Sequence, residues 1–384
     1  HTQSVVGQGF TMLSWVSRPP RSRGLARLEE ERSALRKEVH GKGQCGLRLP
    51  SCSSRVDEAA DYVDASYSVP ADDCDDQEEP LLTDVVLQQQ SIISGEHLRT
   101  RFALSGSLDK TLRLWSVEHG ICIGTFQGHT GVVTCVVADW GLHVALSGSG
   151  DTSLKLWDME RLTCVETLEG HAGGLLCVAA DWKRKRAISG AFDRTLRLWD
   201  LHTARCVTVF KGHSEAVWCV SVDWEQGRVL SGSGDKTLKL WDLGRGTCIE
   251  TLRSHEGGIS CVAVDWTSGC AISGSSDKTL RLWWDFRSSV CVETLRGHEA
   301  GVLCMSVDWS ARRALTGSMD MMLKLWDIDD GRCIEALWGH STMVRSVTVD
   351  WTSRIAVSGA GDGVIKVWDV DRGTCCQTLT GHKQ

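Results

Sequence analysis

One His, one Ser and one Asp recur together along this chain, as in His213, Ser231 and Asp235. These side chains could build a nucleophilic triad, in which the imidazole takes the hydroxyl proton and the carboxylate orients the ring. The recurrence itself argues against that use. A catalytic triad is a single site with its own oxyanion hole and substrate cleft, and repeated equivalent sets would each need both. Cys122, His129 and Cys135 stand as C-x6-H-x5-C, which offers zinc ligand types at a spacing that matches no short-knuckle pattern. The Ser-Gly-Ser-Gly stretch 147–150 has the glycines of a phosphate loop, but no Gly-Lys-Ser/Thr follows, so the glycines read as turn residues. No catalytic residue, metal site or cofactor is therefore expected, and the chain reads as a non-enzyme.

The elements that position these residues are copies of one unit. Gly-His recurs at His129, His171, His213, His298, His340 and His382, with Ser254-His255 filling the gap, at spacings of 42 or 43 residues. Asp-Trp recurs at Trp140, Trp182, Trp224, Trp266, Trp309 and Trp351. An Asp followed six positions later by Trp recurs seven times, from Asp109/Trp115 to Asp362/Trp368. Cysteine follows the same lattice. Cys122, Cys164, Cys206, Cys248, Cys291, Cys333 and Cys375 hold one position, and Cys135, Cys177, Cys219, Cys261 and Cys304 another, where a free thiol serves as a small apolar side chain. So many unpaired thiols suit a reducing compartment, which places the protein in the cytoplasm and leaves the nucleus open.

Composition separates this array from what precedes it. The chain has 384 residues with 39 Gly, 17 Trp and 17 Cys, yet all 5 Pro and both Tyr fall in the first 80 positions. Residues 1–50 carry nine Arg or Lys against four Glu, a balance of +5, and 51–85 carry eleven acids against one Arg, a balance of -10. Residues 25–39 can form an amphipathic helix. The Asp, Glu, Ser, Ala and Pro of 51–80 bury too little apolar surface to offset their ordering entropy, so 1–85 reads as a low-order tail. Residues 86–384 then form the repeat domain. The net charge of -7, of which the array holds about -2, gives no pull toward nucleic acid. No apolar run is long enough for a membrane span.

Each unit holds four short runs rich in alternating Val, Ile, Leu and Trp and bounded by Gly, Asp and Ser, as over 216–222, 227–232, 237–242 and 247–252. That is the pattern of half-buried antiparallel strands. A four-stranded unit cannot cover both its faces, so units must stack, and radial stacking leaves only short protected edges. The fold class is all-β, a seven-bladed β-propeller of four-stranded antiparallel blades.

Gly-His, then Ser-Gly-Ser-x-Asp, then Leu-Lys-Leu-Trp-Asp at this period resembles the WD-repeat (WD40) family of β-propellers, from about residue 90 to 382. The resemblance implies a buried structural tetrad in each blade, which in the fourth is His213, Ser231, Asp235 and Trp241. The chemistry is consistent: Asp accepts from the His ring, the His bonds the Ser hydroxyl, and the Ser accepts the indole N–H. Several features depart from the family. The first unit has Leu87 where Gly-His is expected, so its polar set reads as incomplete, and its third strand ends Trp115-Ser116. Trp284 is one inserted residue. A last strand over 374–379 leaves two closures open, seven self-contained blades or a cut from a longer array.

Two positions vary while their neighbours stay constant. One precedes the turn Asp and includes Phe192 and Met319; the other lies five residues after the His and includes Leu176, Trp218, Leu303 and Arg345. On propeller geometry both map to the rim of the channel mouth, and large apolar groups beside an Arg have the composition of a protein-binding hot spot. The expected function is a non-enzymatic scaffold binding other proteins of an intracellular complex on that face. Two alternatives stand beside it. Trp284-Asp285-Phe286-Arg287 is similar to a mark of cullin-type ubiquitin-ligase substrate receptors, and the propeller can be part of a larger multidomain enzyme or signalling protein.

Overall fold

A computed structural model describes residues 86–91, 101–283, 291 and 293–382, with the backbone alone over 86–91. The expected tail over 1–85, its helix over 25–39, the insertion at Trp284 and the motif over 284–287 lie outside the described residues. Among the described residues, twenty-eight strands, β1 to β28 in chain order, form seven four-stranded antiparallel sheets. No helix among them is long and apolar enough to cross a membrane.

The fourth blade shows the pattern: β13 (Val217–Asp223), β14 (Arg228–Ser233), β15 (Thr237–Asp242) and β16 (Thr247–Arg253), each pairing with the next. These bounds lie within one residue of the runs read from sequence. Burial falls from the inner strand to the outer one: Trp218 is the one residue of β13 not fully buried, whereas the first three residues of β16 are exposed. Blades that radiate from an axis diverge outward, so an outer strand has neighbours on fewer sides.

That gradient corrects one expectation about cysteine. The inner-strand thiols Cys135, Cys177, Cys219, Cys261 and Cys304 are buried, and burial pushes Cys135 and Cys261 up to about 12. The outer-strand set is different, with Cys164, Cys248, Cys333 and Cys375 exposed. The inner site is small as well as apolar. A Cβ added to Gly232 on β14 would stand 2.6 Å from Cys219 Sγ and 2.7 Å from Ile259 Cγ2 of the next blade, so a residue without a side chain is needed for the blades to meet.

Packing between blades forms seven apolar clusters, one at each interface. Each contains a third-strand tryptophan (Trp115, Trp157, Trp199, Trp241, Trp283, Trp326 or Trp368) at 0–1% exposure. The cluster that closes the ring joins Ala103, Trp115 and Val117 of the first blade to Val357, Ile365, Val367 and Leu379 of the seventh. The seventh blade, β25 (Val344–Asp350), β26 (Ile355–Ala360), β27 (Ile365–Asp369) and β28 (Thr374–Leu379), is built from consecutive strands. Of the two closures left open by sequence, the ring of seven self-contained blades is the one adopted.

The first blade contains a register correction. β1 (Val86–Ser91) pairs with β2 (Arg101–Gly106) so that Leu87 lies opposite Ser105. In the second blade Ser147, the equivalent serine, faces Val136, seven residues beyond His129. Leu87 is therefore an inner-strand residue and not the occupant of the His place. A constant spacing of 42 fails here because the first hairpin connection, 92–100, is longer than those that follow, such as 140–143.

Candidate protein-interaction face

The loops that precede the inner strands and the turns between second and third strands meet at one end of the propeller. In the fourth blade, Asp235 in the turn reaches across to His213 in the loop. His213 Nδ1 lies 2.7 Å from Asp235 Oδ2, His213 Nε2 lies 2.7 Å from Ser231 Oγ, and Trp241 Nε1 donates to Ser231 Oγ at 2.8 Å. One tautomer satisfies all three bonds: Nδ1–H donates to the carboxylate, and Nε2 accepts from the hydroxyl. Asp235 is used fully, since it also accepts from Ser214 N, Thr237 N and Thr237 Oγ1. Burial alone would raise its carboxyl pKa, but the His213 and Thr237 bonds outweigh that and hold it well below the usual carboxylate range. The serine oxygen, which a hydrolytic triad would present to a substrate, is here fully buried and accepts the indole N–H.

The seven blades are not identical in this respect. In the sixth, Thr316 takes the serine role, with His298 Nε2 and Trp326 Nε1 each 2.8 Å from its hydroxyl. In the first, the chain end supplies what sequence reading found missing. His382, beyond β28, places Nε2 2.7 Å from Ser105 Oγ and Nδ1 2.9 Å from Asp109 Oδ2, while Trp115 Nε1 donates to Ser105 Oγ at 2.8 Å. The first blade's polar set is thus complete, contrary to expectation, because position 382 follows the seventh blade as each other His follows the blade before its own.

The seventh set is the weakened one. His340 Nε2 is 2.7 Å from Ser358 Oγ, but Nδ1 has no hydrogen-bond partner, and Asp362 Oδ2 accepts from Ser341 Oγ at 2.6 Å instead. Burial pushes the His340 imidazole down to about 4, against the attraction of Asp362. His129, His171 and His382 are shifted in the same direction by burial. An unfolded His takes up its proton near 6.5, so between that value and about 4 the unfolded chain binds more protons and stability falls as pH drops. Acidification from pH 7 to 5 is expected to cost of order 2 kcal/mol through His340 alone. Calorimetric melts across that range check it; a flat melting temperature would contradict buried neutral imidazoles.

The positions singled out as a rim lie at this same end. Each turn residue bonds the backbone just before an inner strand: Phe192 N donates to Gly174 O at 2.9 Å and Met319 N to Gly301 O at 2.9 Å. Phe192 is 43% exposed. Met319, Leu176, Trp218, Leu303 and Arg345 are half-buried. The Trp218 ring lies along the seam between the fourth and fifth blades, where a Cβ on Gly258 would come within 2.6 Å of its Cη2 and one on Gly234 within 3.3 Å of its Cζ2. At the same position Thr134 donates to Leu175 O of the next blade at 2.6 Å, and Ser260 donates to Val302 O. That position is therefore an interblade bridge in two blades as well as a rim position.

Trp338 was missing from the rim set although it is 72% exposed on the loop just before Gly339-His340. Its signal was present in sequence, since the other units carry Gln127, Glu169, Lys211, Arg253, Arg296 or Thr380 there. Among the described residues no group of three or more His, Cys, Asp or Glu is arranged to hold a metal ion.

A family model described as WD domain, G-beta repeat matches residues 120–158, 162–200, 204–242, 246–283, 289–327 and 331–369. Among curated proteins, mitogen-activated protein kinase kinase kinase A of Dictyostelium discoideum is 50% identical over 36 residues, 9% of this chain. The chain spans 4% of that kinase's length. Among solved structures, the computationally designed Ika8 protein superposes with a TM-score of 0.60 at 26% identity, over 78% of this chain and 88% of that one.

Proposed function

The chain belongs to the WD domain, G-beta repeat family, and from that premise we propose that it is a non-enzymatic scaffold whose partner protein docks on the face formed by the turns and the His-bearing loops. Propellers of this family generally serve as protein-interaction scaffolds. One observation carries the choice of face: the repeat's variable positions put Phe192, 43% exposed, on the turn of the third blade and the Trp218 ring in the seam between the fourth and fifth, at the same end of the propeller. A large aromatic group kept at the surface of a rigid frame loses little entropy on binding. The exposed thiols of the outer strands suit a reducing compartment, the cytoplasm or the nucleus.

A double variant, Phe192→Ala with Trp218→Ala, is expected to lose the partners that the wild type recovers from native extract, compared by quantitative mass spectrometry. Its melting temperature should stay within a few degrees of wild type, because Phe192 is exposed and Trp218 half-buried. Unchanged partner recovery would overturn the choice of face.

A further inference from the structure

Four consecutive basic residues, Lys183-Arg184-Lys185-Arg186, occupy the hairpin between β9 (Leu175–Asp181) and β10 (Arg186–Ala191) of the third blade, at the end of the propeller opposite the tetrads. The equivalent places in the other blades hold Gly-Leu-His-Val (141–144), Glu-Gln-Gly-Arg (225–228), Thr-Ser-Gly-Cys (267–270), Ser-Ala-Arg-Arg (310–313) and Thr-Ser-Arg-Ile (352–355). All four basic side chains are exposed. Leu201 N donates to Lys185 O at 2.8 Å, so the connection between the third and fourth strands of the same blade, which ends at the exposed Arg205, lies alongside.

Over its two connections at this end, 181–186 and 200–205, the third blade carries five Lys or Arg against Asp181 and Asp200, a balance of +3. The same connections of the second blade, 139–144 and 158–163, balance at -2, and those of the fourth, sixth and seventh blades at -1 each. Among these five blades the positive charge is therefore confined to one. The acids within the corner are already used. Asp181 accepts from Arg184 N at 3.1 Å and from Arg184 Nη1 at 3.0 Å, and Asp200 caps its own turn through His202 N and Thr203 N. Arg184 also reaches across the seam to Glu225 of the fourth blade at 3.0 Å, and that bond, with Lys183 nearby, holds the Glu225 carboxyl below its ordinary value. Arg186 lies in register between Asp181 and Asp200, yet neither carboxylate pairs with it. Among the described residues, Lys183, Lys185 and Arg186 have no carboxylate within ion-pair distance.

We infer that the third-blade hairpin is a second docking point, which takes a short acidic segment of a partner protein on Lys183, Lys185 and Arg186. It lies at the opposite end from the face proposed above and does not depend on it. Glu225 is an internal precedent: a carboxylate from the neighbouring blade, itself exposed, already sits on this cluster through Arg184. Charge-assisted hydrogen bonds of the same kind are open to the three unpaired cations. The flanking charge limits the length of the segment. A long acidic run, a nucleic-acid strand or an anionic bilayer would extend over the second and fourth blades, whose connections at this end are negative, and would be repelled there. A segment with one carboxylate for each unpaired cation stays within the third blade. Exposed side chains on a hairpin offer no enclosing walls to a free small ligand, whereas a protein segment can rest its remaining surface on the propeller.

The test uses the full chain and a fluorescent peptide with a short Glu run between Gly and Ser residues, with a single-stranded oligonucleotide and phosphatidylserine vesicles as comparisons. The Glu peptide is expected to bind, to weaken about tenfold or more when salt is raised from about 0.05 to 0.5 M, and to be lost in the triple variant K183Q/K185N/R186Q. Asn suits position 185, where φ is 53°, so the hairpin keeps its shape. The charge-conserving variant K183R/K185R/R186K should retain binding. So should K236N/K278N, which removes exposed cations from the other end, and Phe192→Ala with Trp218→Ala, which leaves the hairpin intact. Binding that survives K183Q/K185N/R186Q, that is lost equally in K236N/K278N or in the aromatic double variant, or that is weaker than binding of the oligonucleotide or the vesicles, would overturn the inference. None of these results bears on the turn face, whose test is partner recovery with the aromatic double variant.

Discussion

Replacing His382 by Ala is expected to lower global stability by about 2–4 kcal/mol and to loosen the propeller at one seam before any other. Three bonds depend on this ring. It orders Asp109 Oδ2 and Ser105 Oγ directly, and through the serine it sets the acceptor for Trp115 Nε1. Its removal strands a charged acceptor and a buried hydroxyl and empties the space beside Trp115, whose ring centroid lies 5.9 Å away. The equivalent substitution in a middle blade costs a similar amount locally, but both of its flanking blades remain covalently continuous. At the seam the bonded residues are 273 and 277 positions apart, so the chain itself contributes nothing to holding them together. What remains is the apolar cluster of the first and seventh blades. Urea unfolding gives the magnitude. Native-state hydrogen exchange gives the location: β1, β2, β25 and β26 should exchange faster at denaturant concentrations that leave the fourth blade protected. A loss below about 0.5 kcal/mol, or exchange that rises equally in all blades, would show that the apolar cluster alone closes the ring.

The blade plan could be read from sequence because the same side chains do the same work many times. Trp241 and Asp235 keep their spacing in every unit, and the strand runs around them were placed within a residue. The first blade resisted that reading for a physical reason. Loop length between β1 and β2 is not constrained by the packing of the blade, so counting back in units of 42 put Leu87 in a loop when it belongs to a strand. The closure was hidden for a different reason: His382 and Ser105 are brought together by the circular arrangement, which a linear period cannot display. The two fates of cysteine were also invisible. Cys219 and Cys248 both recur on the lattice, in five and seven units, but one is buried at an interface and the other is exposed on an outer strand.

The uneven tetrads provide a test of what the His–Asp bond contributes, because the seventh blade offers a natural control. Asp235→Ala is expected to cost about 2–4 kcal/mol, and Asp362→Ala about 1 kcal/mol. Both carboxylates cap their turns, Asp235 accepting from Thr237 N and Asp362 from Val364 N, each at 3.0 Å. Both also receive a side-chain hydroxyl at 2.6 Å. They differ in the histidine and in the loop amide beside it, since Asp235 also accepts from Ser214 N at 3.0 Å. Asp235 holds the Nδ1–H of His213 at 2.7 Å, so its loss leaves a buried donor unsatisfied and releases the tautomer that lets Ser231 serve both ring and indole. His340 Nδ1 is without a partner already, so removing Asp362 strands nothing further on the ring. Ser341, whose hydroxyl would be freed, is exposed and can turn to water. Chemical denaturation of the two variants decides the matter. Equal losses would mean that turn capping accounts for the whole role of the Asp, and that the imidazole is held by packing against its tryptophan; a difference of at least about 1 kcal/mol assigns the excess to the bonds that tie the Asp to the His-bearing loop, from the imidazole and from Ser214 N.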